Sequence, residues 1–288
     1  MSGKTCPPSV ETRPPSWSYG SGGWDTHAHV FGPIRTFPFD VHRRYTPPEQ
    51  TVEQYLANLD ALGLRMGVLV QPSVYGKDND ALISALLAGK GRLVGVIDFD
   101  ANTVTDEQID SWNSAGVCGA RVWWDGSLPA QWLTQLASRL RDTRWHLDVF
   151  CANADALIDF SARIDKLDMP VMIEAMGTPR DDDTLSSPGF QTLLGLLREE
   201  AIWVKLSHPY KIDPGGLPYP LAAPFARAIV DAAPNQVVWG SDWPHPMING
   251  PMPNDGGLID LLPSWAGSVE LARQILEVNP RQFYRQET

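Results

Sequence analysis

Two rhythms alternate along this chain. Short apolar runs rich in Val, Ile and aromatic residues are followed by turn residues, then by stretches with helical period. The runs WDTHAHVF (24–31), MGVLVQPS (66–73), LVGVIDF (93–99) and CGARVWW (118–124) predict strands. So do WHLDVFCA (145–152), PVMIEAMG (170–177), AIWVKLSHP (201–209) and QVVWGSDWP (236–244). Helices are expected near 51–63, 78–88, 105–115, 129–142, 153–166, 188–200, 222–233 and 269–277. In the first, Thr51 precedes VEQYLANLDAL, whose Val52, Tyr55, Leu56, Leu59 and Leu62 share one face.

Strands that are apolar almost throughout belong to a parallel sheet covered on both faces. Eight βα units fit the α/β class and a closed (β/α)8 TIM barrel, which typically takes about 250 residues. An open doubly wound sheet fits less well, because no GxGxxG turn follows the first strand. The expected organisation is one barrel domain over 23–288. Residues 1–22, rich in Pro, Ser and Gly, read as a flexible, poorly packed arm. INGPMPNDGG (248–257) reads as a lid or rim segment.

Composition narrows the function classes. The chain has 288 residues, 43% of them hydrophobic and 20% charged, which excludes disorder as a whole. No apolar run approaches the roughly 18 residues of a membrane helix. Lys and Arg total 23 against 34 Asp and Glu, a formal charge of −11. That field repels nucleic acid and anionic membranes, so neither is expected as a partner. It does not exclude a small anionic substrate, since a buried arginine can override net charge locally. Cys6, Cys118 and Cys151 form no CxxC pair, and no secretory leader is visible, so a reducing cytoplasm is expected.

In such a barrel, chemistry gathers at the C-terminal ends of the strands. The first strand carries His27 and His29, two apart and therefore on one face. The last ends in Asp242, which closure brings beside them. Two imidazoles in a shared hollow can bind a metal or hold a substrate oxygen. A carboxylate beside them suits a general base, although a turn aspartate capping a helix is the plainer reading. Arg121, among apolar residues in GARVWW, needs an anionic partner, either a structural carboxylate or the substrate.

WDTHAHVFGP, FPFDVHRRYTPPEQ, VLVQPSVYGKDN, GARVWW and WGSDWPHP, in this order, resemble the 2-pyrone-4,6-dicarboxylate lactonases, a branch of the amidohydrolase superfamily. The resemblance runs from about Gly23 to Tyr284. It implies a distorted barrel that hydrolyses a carboxylated cyclic ester without a required cofactor. It further implies that His27 and His29 contact the lactone carbonyl and that Asp242 activates water. Tyr45, Ser73 and Arg121 would bind the substrate's polar groups, with Lys211 and His208 as further contacts.

The departures from the family pattern are specific. Strand six reads Glu174-Ala175-Met176-Gly177 where the family has Asp-His-Met-Gly, so one imidazole is missing. This marks either a divergent member or a deliberately altered one. Ser127 and Lys211 stand where arginines are expected, and Phe150 where a tyrosine is. His208 could replace the lost imidazole, or be a rim histidine beside Pro209. Two other readings stay open. One is a zinc-dependent hydrolase or non-oxidative decarboxylase, with one Zn²⁺ on His27, His29 and Asp242 and with His208 or a water as a further ligand. The other is a catalytically impaired barrel that binds a small anion.

Overall fold

The computed structural model describes residues 4–284. Its core is an eight-stranded, all-parallel sheet. In chain order the strands are β1 (Trp24–Ala28), β2 (Met66–Val70), β3 (Leu93–Ile97), β4 (Val117–Trp124), β5 (His146–Cys151), β6 (Val171–Ile173), β7 (Trp203–Leu206) and β8 (Val237–Trp239). Each pairs with its sequence neighbour, as right-handed βα units require. The ladder ends are joined just beyond the strands. His27 O accepts from Asp242 N at 2.8 Å, and His29 N donates to Trp243 O at 2.8 Å. The open-sheet alternative is thereby excluded.

The helices α1 (Val52–Leu62), α2 (Asp80–Ala88), α3 (Asp106–Ser114), α4 (Ala130–Leu140), α5 (Ala156–Ile164), α6 (Pro188–Arg198) and α7 (Ala223–Ala232) follow the first seven strands. Local chemistry sets their ends. Gln54 Oε1 accepts from Thr51 N at 2.7 Å at the start of α1, and Gly63, at φ 73°, ends it. The expected helix near 269–277 is Val269–Arg273 continuing into a π-turn over Gln274–Val278. Among the described residues, no helix is long and apolar enough to cross a membrane.

Two strands are shorter than the apolar runs suggest. β6 stops at Ile173 and β8 at Trp239, and their predicted ends turn out of the ladder. Ala175, His208 and Asp242 have φ of 52°, 55° and 64°, the left-handed region that side chains rarely adopt. Such strain gathers where surrounding structure fixes a functional geometry.

The barrel interior is layered. At its base Trp24 stacks on Tyr284, with centroids 5.5 Å apart and planes 8° from parallel, among Met66, Val68, Val94 and Val96. Above lies a fully buried ion pair, Lys205 Nζ to Asp148 Oδ2. Burial opposes ionisation of Asp148. Lys205 and His146 outweigh it and hold the group at about 2.

The N-terminal arm was expected to pack poorly. From Lys4 onward it is instead tied down: Lys4–Thr5 pair with Tyr45–Thr46, Cys6 is buried, and Trp17 Nε1 donates to Ile259 O at 3.1 Å. Proline-rich composition gave it an extended course, but apolar Cys6 and Tyr19 and the indole of Trp17 gave it anchors. The expected rim segment 248–257 runs into a short helix over Asp255–Ile259.

Candidate active site

Asp242 Oδ1 is the centre of the site. The Nε2 atoms of His208, His29 and His27 lie 2.9, 3.1 and 3.7 Å from it. The opposite oxygen, Oδ2, accepts from the Tyr210 hydroxyl. All five side chains are buried. β1 places His27 and His29 on one face. The turns after β7 and β8 supply His208, Tyr210 and Asp242. Asp25 braces this corner, since its carboxylate accepts from His27 N, Ser241 N, Ser241 Oγ and Tyr55 OH.

Donor and acceptor roles can be assigned around the cluster. His29 Nδ1 lies 2.7 Å from Val70 O, which can only accept, so Nδ1 carries the proton. Neutral His29 then has a bare Nε2 facing Asp242. Ser207 Oγ accepts from Ala175 N at 3.2 Å and is 2.9 Å from His208 Nδ1. These distances accommodate a continuous chain: Ala175 N–H to Ser207, Ser207 O–H to His208 Nδ1, His208 Nε2–H to Asp242 Oδ1, and a proton on that oxygen to His29 Nε2. Electrostatics agree. Burial, then the Lys211 charge, lowers His208, and burial, then Arg121, lowers His29 to about 3. Burial drives Asp242 well above the usual carboxylate range, against the pull of Arg121.

His27 stands outside this chain. Among the described residues, neither of its buried ring nitrogens has a hydrogen-bond partner. Its Nε2 also lies 4.0 Å from Glu174 Oε2. An unpartnered buried imidazole carries a desolvation cost of about 1–3 kcal/mol that a guest with a polar atom would relieve.

Other expected site residues fall around this core. Tyr45 is buried, and burial pushes its hydroxyl above the ordinary tyrosine range. Ser73 is exposed on the rim. Arg121 is held in a two-pronged ion pair, Nε to Glu174 Oε1 at 2.9 Å and Nη2 to Oε2 at 2.7 Å, while Nη1 donates to Gln71 O at 2.8 Å. Its structural-carboxylate reading is the one realised here, which leaves fewer N–H groups for a substrate. The Lys211 ammonium sits 5.1 Å from the Phe150 ring centroid, with Arg121 Cζ at 5.8 Å.

Three readings of these histidines change. His208 is not a rim residue: it is 4% exposed, with its ring 4.8 Å from that of His27. The group that could share a cation is therefore His27, His208 and Asp242, whose ligand atoms lie within 4.8 Å of one another, rather than the set with His29. Neutral His29 also cannot donate to a lactone carbonyl, because its only N–H is committed to Val70 O. Sequence reasoning missed Tyr210 altogether. A lone tyrosine in HPYKID reads as loop, and only its place one turn past a strand end could have pointed to it.

A (β/α)8 barrel with histidines at the end of its first strand and just after its seventh, facing an aspartate after its eighth, has the architecture of the amidohydrolases. The amidohydrolase family pattern matches residues 24–286, and the chain belongs to that family. It is 33% identical over 293 residues to a 4-sulfomuconolactone hydrolase of Hydrogenophaga intermedia, covering 99% of this chain and 96% of that protein. It is likewise 33% identical over 285 residues to a 2-pyrone-4,6-dicarboxylate hydrolase of Comamonas testosteroni, covering 94% and 92%. Among solved structures, a candidate 2-pyrone-4,6-dicarboxylic acid hydrolase from Pseudomonas putida superposes with a TM-score of 0.80 at 29% identity, covering 93% of this chain and 99% of that one.

Proposed function

We propose that this protein hydrolyses a carboxylated lactone. The observation that carries the reading is His27, a buried imidazole without a partner, 3.7 Å from the carboxylate of Asp242. The relatives named above as lactone hydrolases support it.

In this reading the lactone carbonyl oxygen accepts a hydrogen bond from His27. Asp242 acts in its ionised form, once the proton it shares with His29 has been lost to solvent: the carboxylate takes a proton from a water molecule, and the water oxygen bonds to the carbonyl carbon. The tetrahedral intermediate then collapses, the ring C–O bond breaks, and the leaving oxygen takes the proton back from Asp242. His208 and Tyr210 aim the two carboxylate oxygens. His29 shares the proton that Asp242 holds, through its bare Nε2. Tyr45, Ser73, Arg121 and Lys211 supply polar contacts to the substrate's acidic groups. An aligned donor to the developing oxyanion, the role of His27 here, contributes about 10²–10³ in rate. Turnover of dicarboxylated pyrones and muconolactones, followed by ring-opening absorbance, tests the reading. An Asp242→Asn variant with undiminished turnover would overturn it.

A second reading has an observation of its own. His27, His208 and Asp242 would hold one Zn²⁺, and the unpartnered nitrogens of His27 fit that role. A bound zinc ion would polarise the carbonyl and acidify a coordinated water. Metal analysis by mass spectrometry, with activity assayed before and after chelation, separates the two. Activity that vanishes with the metal and returns with zinc selects the second.

A further inference from the structure

At the end of the barrel away from the reaction centre, the starts of β4, β5 and β6 border a cavity of about 240 Å³. Val117 and His146 open β4 and β5, and Pro170 directly precedes β6. A cavity of about 150 Å³ already admits benzene, so this one has room for a ring and a small substituent. Barrel chemistry gathers at the opposite strand ends, so the hydrolytic machinery has no use for this space.

One part of the lining is aromatic. Phe283 and Tyr284 meet edge to face, with centroids 5.0 Å apart, and their rings lie 4.8 and 5.4 Å from that of His146. The stack of Tyr284 on Trp24 anchors this wall in the barrel. His146 is 4% exposed, and its Nε2 has no hydrogen-bond partner among the described residues. Asp148 Oδ2, at 3.8 Å, is too distant for one.

Another part is basic. Arg141 and Arg144 follow α4 and line the cavity; both are exposed and, among the described residues, neither makes an ion pair or a side-chain hydrogen bond. Thr143 fixes the turn that carries them. Its N and Oγ1 donate to Leu140 O at 2.9 and 2.7 Å, and Oγ1 accepts from Trp145 N at 3.2 Å. One carboxylate, Asp168, shares the lining, so two guanidiniums outnumber it in a chain whose formal charge is −11. Cations just past a helix also suit its dipole, but that accounts for neither the aromatic wall nor the space. Guanidiniums on a held turn beside aromatic rings favour a planar ring that carries a carboxylate.

We propose that this cavity is a ligand site separate from the reaction centre, which takes a small aromatic acid: its ring packs on Phe283 and Tyr284, and its carboxylate pairs with Arg141 and Arg144. The inference goes beyond the lactonase reading and does not depend on it, because binding alone is read.

The probes are benzoate, its neutral counterpart benzamide and its saturated counterpart cyclohexanecarboxylate, titrated calorimetrically into wild type, Arg141→Ala/Arg144→Ala and Lys211→Ala. Benzoate is expected to bind wild type more tightly than either counterpart. Its affinity should fall about tenfold in the double variant, as for two ion pairs at a partly open site, and stay unchanged in Lys211→Ala. The last protein controls for acid binding at the reaction centre. Crystals soaked with 4-bromobenzoate locate the ligand, since bromine gives an anomalous peak, expected between the Arg141–Arg144 turn and Phe283. Equal benzoate affinity in wild type and the double variant overturns the site. So does an affinity that falls only in Lys211→Ala, or bromine found solely at the strand-end rim. A peak in the cavity without calorimetric binding marks binding at crystal concentration only and also counts against it.

Discussion

Tyr210 and Asp242 are joined by a hydrogen bond on the carboxylate oxygen that faces away from the three imidazoles. The arrangement gives the aspartate one oxygen held by the phenol, Oδ2, and one that faces the imidazoles, Oδ1. It also bears on acidity. Burial raises Asp242 and the Arg121 charge opposes the rise; a phenol donating to the carboxylate also favours its anion.

Replacing Tyr210 by Phe should therefore shift the acidic limb of the kcat/KM profile to higher pH. The sign follows from the anion losing a donor, which favours the protonated form. A hydrogen bond to a charged group is worth about 1.5–3 kcal/mol, so the shift should be on the order of one to two pH units. A limb that stays in place while turnover merely drops would assign Tyr210 a packing role only.

His208 should matter more than a peripheral histidine would. Its removal in His208→Ala leaves Asp242 Oδ1 without its nearest donor, and kcat should fall by about 10²-fold or more. Restoring a histidine in strand six by Ala175→His should not rescue this variant. Position 175 is 2% exposed, so a larger side chain there is crowded. Steady-state kinetics of the single and double variants check both statements.

Asp25 gives the stability of the fold a pH dependence of definite sign. Burial outweighs the Ser241 hydrogen bonds and raises the group to about 6. The folded state thus binds the proton more tightly than the unfolded chain. Stability from this group is greatest below its unfolded pKa near 3.8 and declines as pH rises to about 6. The decline should approach about 3 kcal/mol, and Asp25→Asn should remove it. Urea midpoints across this interval that run parallel in the two proteins would contradict the assignment.

The Lys205–Asp148 pair predicts a different failure. Lys205→Met leaves a carboxylate fully buried beneath the site, at a cost of about 3–5 kcal/mol. The double variant Lys205→Met/Asp148→Leu should recover much of that loss. Thermal unfolding measures both.

The barrel was readable because buried parallel strands such as MGVLV and LVGVI are apolar at every position. Reading failed where function bends the chain. VMIEAMG and VVWGSDWP continue the apolar run, yet Ala175 and Asp242 adopt left-handed φ and leave the sheet. Spacing alone placed His27 and His29 on one face and Asp242 beside them. It could not say that Val70 O would bind His29 Nδ1, because that depends on where two strands meet. Glu174 stood in view at the end of strand six, but its embrace of Arg121 joins residues 53 positions apart and has no local signature. Tyr210 was invisible for the same reason.

The barrel seam runs through His27 and Asp242, and their own backbone groups form its fastening. Clasp and chemistry are one object. Slackening that joint under mild denaturant would silence the protein while most of its secondary structure still stands, so loss of turnover would be the earliest symptom of unfolding rather than its final one.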